Sequence, residues 1–501
     1  MQYREKGMAK YYTTYFLKGK YTEIGSGSEN ILSCVGANQY GVQLASLFNF
    51  TEYLIKKQNV QLVLIIVDSS FSPVNFAGLE EISGQMEKLR NHNIHVYLYA
   101  PSYNMSTLYL AASAEKVFIH PIGNICFGGF YKNRISAALL LEKLGIKFQT
   151  IKTGKFKDTF SSLGDFVEES NFPNQLLQDY EYTFVQQVQK KWKEKDLYRK
   201  LSEENIFSAG EAKKIGFLDE IATLPEVLQE ITENGIYPKK IKISLKNSKN
   251  IWKKKIAIVF ANGEIIDGTG AALFHVTKKN MSSSKIIGII NRLKRKKSIK
   301  AVLFRIDSTG GSSSAGYDLY QAVKRLSEQK LTVISIGNYA TSSAYWMALG
   351  GSTIFADSTS VIGAVGAAMT RPYILEALEK IGLQVTTEKL KNTEVINFFE
   401  EYSEEAKRGT EKWISEIMNH FLEAIREHCD LDKKTLEIIS DGCSFSGSYA
   451  WKYGLIDRIG GIEQALEYIR TQLGEVPVKY EYYPENKIPL LYKKLFHIGS
   501  K

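Results

Sequence analysis

Apolar residues along this chain gather in short, nearly unbroken runs separated by stretches with helical spacing. VQLVLIIV (60–67), HVYLYA (95–100), KAVLFRI (300–306) and LTVISI (331–336) are rich in branched side chains and lack polar alternation, so they predict buried strands. Between them the pattern changes period and predicts helices near 77–91 and 314–329. After Gly337, the small and apolar residues Ser343-Ala344-Tyr345-Trp346-Met347-Ala348-Leu349 read as a further helix. The first strand is expected in YFLKGKYTEIG (15–25). Strands and helices alternate throughout, so the class is α/β.

The same order occurs twice. Asp68 and Asp307 differ by 239 positions, Tyr109 and Trp346 by 237, Gly145 and Gly382 by 237, and Asp219 and Asp457 by 238. FSAGEAKKIGFLDEI (207–221) is answered by FSGSYAWKYGLIDRI (445–459). An offset this steady across separate motifs indicates an internal duplication. The Lys-rich stretch 231–255 joins the copies, which predicts one unit over 1–250 and a second over 251–501. The chain's 501 residues suit two domains better than one core.

Composition narrows the function. Four cysteines lie far apart with no C-x-x-C, and seven histidines are scattered with no H-E-x-x-H, so neither metal nor disulfide framework is indicated. No G-x-S-x-G is present and no His-based triad is visible. The formal charge of +10 is spread over Lys-rich faces such as 190–195 and 294–297. Without an aromatic platform or a known module, these do not argue for nucleic acid; an anionic membrane surface is the better use for such charge. The tail NKIPLLYKKLFHIGSK (486–501) mixes apolar residues with Lys and could touch lipid or pack on the body. Residues 1–25 hold no apolar run long enough for a signal peptide or a membrane span.

Candidate chemistry sits in the second copy. Ser342 stands between a strand and a helix, where backbone N–H groups lack partners. A plain N-cap is the bland reading of such a Ser. Upstream, Asp307-Ser308-Thr309-Gly310-Gly311 follows another strand, and paired glycines free the backbone to aim N–H groups at an oxyanion.

DSTGG (307–311) followed by TSSAYW (341–346) resembles the signal peptide peptidase A family, also called protease IV, whose pattern reads roughly N-S-P-G-G and then A-S-G-G-Y-W. The likeness covers about residues 15–480 and implies tandem duplicated crotonase-like/Clp-like α/β domains. It implies a serine peptidase with Ser342 as nucleophile and no metal or cofactor. In duplicated members the general base is a Lys in a G-x-[Y/F]-K pattern of the first repeat, and GKFK (154–157) places Lys157 there. The register puts Glu394 opposite Lys157 and Met105 opposite Ser342, so each half would supply one partner. Lys389 and Lys391 of the second repeat are the competing bases. Gly310 or Gly311 together with Ser343 are the candidate oxyanion donors.

Three departures stand out: Ser343-Ala344 replaces the Gly-Gly after the nucleophile, Asp307 replaces Asn, and Ala364 replaces a Ser that helps hold the Lys. Thr359 or Ser360 would have to supply that hydroxyl. The resemblance further implies hydrophobic peptide substrates such as cleaved signal peptides, membrane association, usually through an anchor, and a homotetramer. Two other readings remain at this point, a catalytically inactive duplicated scaffold that binds peptides or partners at membranes and a crotonase-type acyl-CoA enzyme.

Overall fold

The computed structural model describes residues 10–23, 43–56, 59–72, 75–131, 133, 136–157, 172–193, 197–239, 254–268, 280–388 and 397–483. Two parallel sheets organise them. The first takes its strands from the first half, in the order Ile236–Pro238, Lys10–Leu17, Val60–Val67, His95–Ala100, Lys116–Ile119, Glu220–Ile221. The second runs Ser444–Ser446, Val361–Gly363, Leu331–Thr341, Ile299–Ser308, Lys254–Asn262, Val478–Tyr483. Thr353–Ala356 pairs beside the central strand and carries Arg458–Ile459. Within this sheet only Ser444–Ser446 runs antiparallel. Helices Phe76–Asn91 and Ser313–Ser327 form where the helical spacing predicts them.

The unbroken apolar runs are explained by cover on both faces. Every residue of Ala301–Ile306 is buried, Arg305 included. One face of the second sheet (Ile258, Leu303, Val333, Phe355) shares a single core with Leu54, Ile82 and Met86 of the first half. The halves are therefore fused through a core. Two expectations need correction. The first strand is Lys10–Leu17, earlier than 15–25, since Tyr12 to Leu17 are the residues that pair with Leu62 to Val67. The strand expected to end before Gly337 continues to Thr341, because it gains a second neighbour in Val361–Gly363.

A buried ion cluster crosses the fusion. Arg305 Nε and Nη2 donate to Glu23 at 2.9 and 3.0 Å, and Nη1 lies 2.6 Å from Glu81, with all three side chains essentially unexposed. Glu80, next along the helix, accepts from the Ser358 and Thr359 N–H groups at 3.2 and 2.9 Å. A second crossing is an antiparallel ribbon, Lys147–Lys152 of the first half against Ala368–Tyr373 of the second. The described cysteines, Cys126, Cys429 and Cys443, carry free thiols. Among the described residues no helix is long and apolar enough to cross a membrane.

Candidate active site

Ser342 follows the strand Leu331–Thr341 and precedes the helix Ser343–Ala348. Its φ of 55° and ψ of −128° are a conformation that side chains other than glycine rarely adopt. Such geometry costs about 1–3 kcal/mol and persists only where the surroundings over-determine it. Here they do. Its N–H donates to Gly363 O at 2.8 Å and its C=O accepts from Trp346 N at 3.0 Å. The following helix is anchored by Trp346, stacked on Phe421 with ring centroids 4.7 Å apart, and by Tyr345, whose hydroxyl donates to Leu455 O at 2.7 Å.

The Ser342 hydroxyl makes no capping bond, so the plain N-cap reading does not apply. The first repeat supplies the contrast. Its matching helix starts at Met105, and Asn104 before it has an extended backbone and caps Thr107 N–H at 3.0 Å. The helix start thus aligns Asn104 with Ser342, one residue from the Met105 given by the ungapped register.

The glycine pair packs directly on Ser342. At Gly310 (φ 98°) a Cβ would sit 2.7 Å from Thr341 O and 2.8 Å from Ser342 Cβ; at Gly311 (φ 150°) it would sit 2.1 Å from Ile265 O. The short strand Glu264–Ile266 pins the turn, with Ile265 N–H donating to Gly310 O at 2.8 Å and Ser312 N–H to Ile265 O at 2.9 Å. Gly311 O accepts from Ser343 Oγ at 2.9 Å. Gly310 N–H is already engaged by Ser308 Oγ at 3.1 Å. Among the described residues, the N–H groups of Gly311 and Ser343 donate to nothing in the protein. Of the three candidate oxyanion donors, these two are free.

Lys157 arrives from the other repeat. The ribbon carries the chain to Thr153, whose N–H donates to Ala367 O at 2.9 Å and whose Oγ1 accepts from Ala367 N at 2.8 Å. Phe156 N–H then donates to Asp441 O at 2.7 Å. Two glycines permit the close approach. A Cβ on Gly154 (φ 78°) would meet Asp441 and Ser440 backbone atoms at 2.6 Å, and one on Gly442 (φ 83°) would meet Lys157 N at 2.7 Å. The outcome is that Lys157 Nζ lies 2.8 Å from Ser342 Oγ, across 185 positions of sequence.

The second partner of Lys157 Nζ is Ala364 O. This replaces the expectation for Thr359 or Ser360. Thr359 Oγ1 donates to Glu80, and Ser360 Oγ donates to Gly337 O at 2.6 Å. Ala364 has a φ of 49°, with its N–H held by Cys443 O at 2.7 Å. The residue Lys157 keeps some exposure, but burial of its amine pushes its pKa down from 10.5 to about 7. Lys389, Lys391 and Glu394 lie outside the described residues, as does the tail 486–501. Among the described residues no cluster of three or more His, Cys, Asp or Glu could hold a metal. Two features escaped the sequence reading, the Ala364 carbonyl and the Arg305 cluster. Only the second left a trace, a single Arg inside an otherwise apolar strand.

A family model described as Peptidase family S49 matches residues 88–235 and again 324–475, together more than half of the chain. The chain belongs to peptidase family S49. The match falls once on each repeat, as the duplication requires, and the protein is a serine peptidase. It is 25% identical over 455 residues to protease 4 of Haemophilus influenzae, covering 80% of this chain and 69% of that one. It is 23% identical over 426 residues to the chloroplastic serine protease SPPA of Arabidopsis thaliana, covering 79% of this chain and 62% of that one. Among solved structures, a mutant of the 1510-N membrane-bound stomatin-specific protease in complex with a substrate peptide aligns at 16% identity and a TM-score of 0.29, covering 49% of this peptidase and 97% of that chain.

Proposed function

We propose that this serine peptidase works through a Ser342/Lys157 dyad shared between its repeats, and that it degrades extended hydrophobic peptides such as cleaved signal peptides. The observation that carries the dyad is the 2.8 Å separation of Lys157 Nζ and Ser342 Oγ, with the amine pKa near 7. A neutral amine accepts the hydroxyl proton, which an ammonium cannot. Ser342 Oγ attacks the scissile carbonyl while Lys157 takes its proton, then returns it to the leaving amine. Water activated by the same amine resolves the acyl-enzyme. The free N–H groups of Gly311 and Ser343 flank Ser342 and supply two donors to the oxyanion.

The acyl-CoA reading wants an acid facing the site, and Asp307, three residues before Gly310, is bonded instead to Asn338 and Tyr339. Peptide substrates, a membrane-surface workplace and a homotetramer follow from the family resemblance and belong to this proposal. The test is labelling by a fluorophosphonate probe alongside hydrolysis of an apolar peptide. Wild type should label at Ser342 and turn over, and Ser342→Ala should do neither while unfolding normally. Undiminished turnover by Ser342→Ala would sink the assignment; an unlabelled, inactive wild type would favour the scaffold reading.

A further inference from the structure

The strand that delivers Ser342 does not run regularly into it. Ile306 pairs with Ile336 but Ser308 pairs with Ala340, so two steps along one strand face four along its neighbour. An interruption of this kind leaves backbone groups without ladder partners. Asp307 fills the gap. Its Oδ1 accepts the Tyr339 N–H at 3.1 Å and its Oδ2 accepts Asn338 Nδ2 at 3.1 Å. Its own carbonyl accepts Gly263 N–H at 3.0 Å, which fixes it to the bend that follows the strand Lys254–Asn262 on the far side. Gly337 completes the lock. A Cβ there would lie 3.3 Å from Asp307 Cβ and 2.7 Å from Glu23 Oε1, and its carbonyl is held by Ser360 Oγ at 2.6 Å.

Asp307 stands three residues before Gly310, and Tyr339 stands three before Ser342. One buried carboxylate therefore ties the approach to the glycine turn to the approach to the nucleophile. We propose that Asp307 is a positioning residue, whose carboxylate holds the irregular stretch 337–339 in the one register that sets Ser342 Oγ against Gly311 and Lys157. The inference rests on Ser342 being the nucleophile. Without an acceptor at 307, the Tyr339 N–H is unpaired and the stretch keeps only its pairing with Val361–Gly363 to hold its register. A one-residue slip in a strand turns every side chain to the opposite face.

An Asn at this position keeps the essential contact. Its side-chain oxygen accepts the Tyr339 N–H, and its amide faces Asn338, whose Oδ1 is buried without a partner and can turn to receive it. The experiment measures kcat and KM on an apolar peptide and the rate of fluorophosphonate labelling for wild type, Asp307→Ala and Asp307→Asn. Misplacing a reacting atom by about 1 Å costs roughly 100-fold, so Asp307→Ala should lose about 10- to 100-fold in kcat and labelling, with KM within about threefold. Asp307→Asn should stay within about threefold of wild type, since one acceptor bond is retained. An Ala variant as fast as wild type, or an Asn variant no better than Ala, overturns the proposal. Should Asp307→Ala not fold, Asp307→Ser shortens the side chain by one atom, withdraws the acceptor from the Tyr339 N–H and should lower kcat about tenfold at unchanged KM; an unchanged kcat overturns it equally. A wild type that never labels at Ser342 fails the nucleophile assignment and this inference with it. Labelling of wild type and Asp307→Ala at one rate fails this inference alone.

Discussion

Replacing Lys157 with Met should make the protein inactive and, at neutral pH, more stable. The amine pKa falls from 10.5 to about 7 on burial. At about 1.4 kcal/mol per pKa unit, keeping the proton in the folded state would cost roughly 5 kcal/mol. The folded-state pKa lies below the unfolded one, so the unfolded chain binds a proton that the folded chain sheds, and stability rises with pH between about 7 and 10.5. Lys157 thus weakens the fold fully below pH 7 and not at all above pH 10.5. At pH 7 the cost is about 4 kcal/mol, and at pH 9 about 2 kcal/mol. Met fills similar volume and removes that cost, but it forfeits the bonds to Ser342 Oγ and Ala364 O, each worth about 1 kcal/mol. The net gain is about 2 kcal/mol at pH 7 and close to zero at pH 9. Denaturant midpoints at the two pH values, read beside peptide hydrolysis, provide the assay. A variant that is less stable than wild type at pH 7, or one whose advantage does not shrink by pH 9, would refute the buried neutral amine. Retained hydrolysis would refute its role as base.

Three further outcomes follow from the geometry. Fluorophosphonate labelling of wild type should rise about tenfold per pH unit below pH 7 and level off above it, since the base must lose its proton; a flat profile from pH 5 to 9 counts against Lys157. Arg305→Met leaves Glu23 and Glu81 buried without their cation and should cost about 3–5 kcal/mol in equilibrium unfolding. Gly442→Ala places a Cβ 2.7 Å from Lys157 N at a φ of 83°, so it should cut turnover about tenfold or more while Ser342 stays present; full activity would show that the contact is not needed.

The sequence alone carried the architecture a long way, because burial on both faces writes itself as unbroken apolar runs and duplication writes itself as a constant offset. Ser342 was legible from its place between strand and helix, and the glycine pair from what two glycines allow a turn to do. Lys157 was legible only through likeness to a family pattern, since nothing local distinguishes it from other lysines of this basic chain. Its amine titrates near 7 because the second repeat encloses it, and that enclosure depends on contacts at Asp441, Gly442 and Ala364 far along the chain. Nor could a motif say which donors are free. Gly310 and Gly311 look equivalent as letters, yet Ser308 takes the N–H of one and leaves the other. Where the family resemblance expects a Ser hydroxyl at 364, this chain has an Ala, and it is the backbone carbonyl of that residue that meets Lys157, a contact invisible to a reading of side chains. Local sequence determines which segments are strands, helices and turns, since period, glycine and capping act over a few residues. Proton affinity, partner choice and strand register are set by groups brought together across the two repeats, and those only the tertiary structure decides.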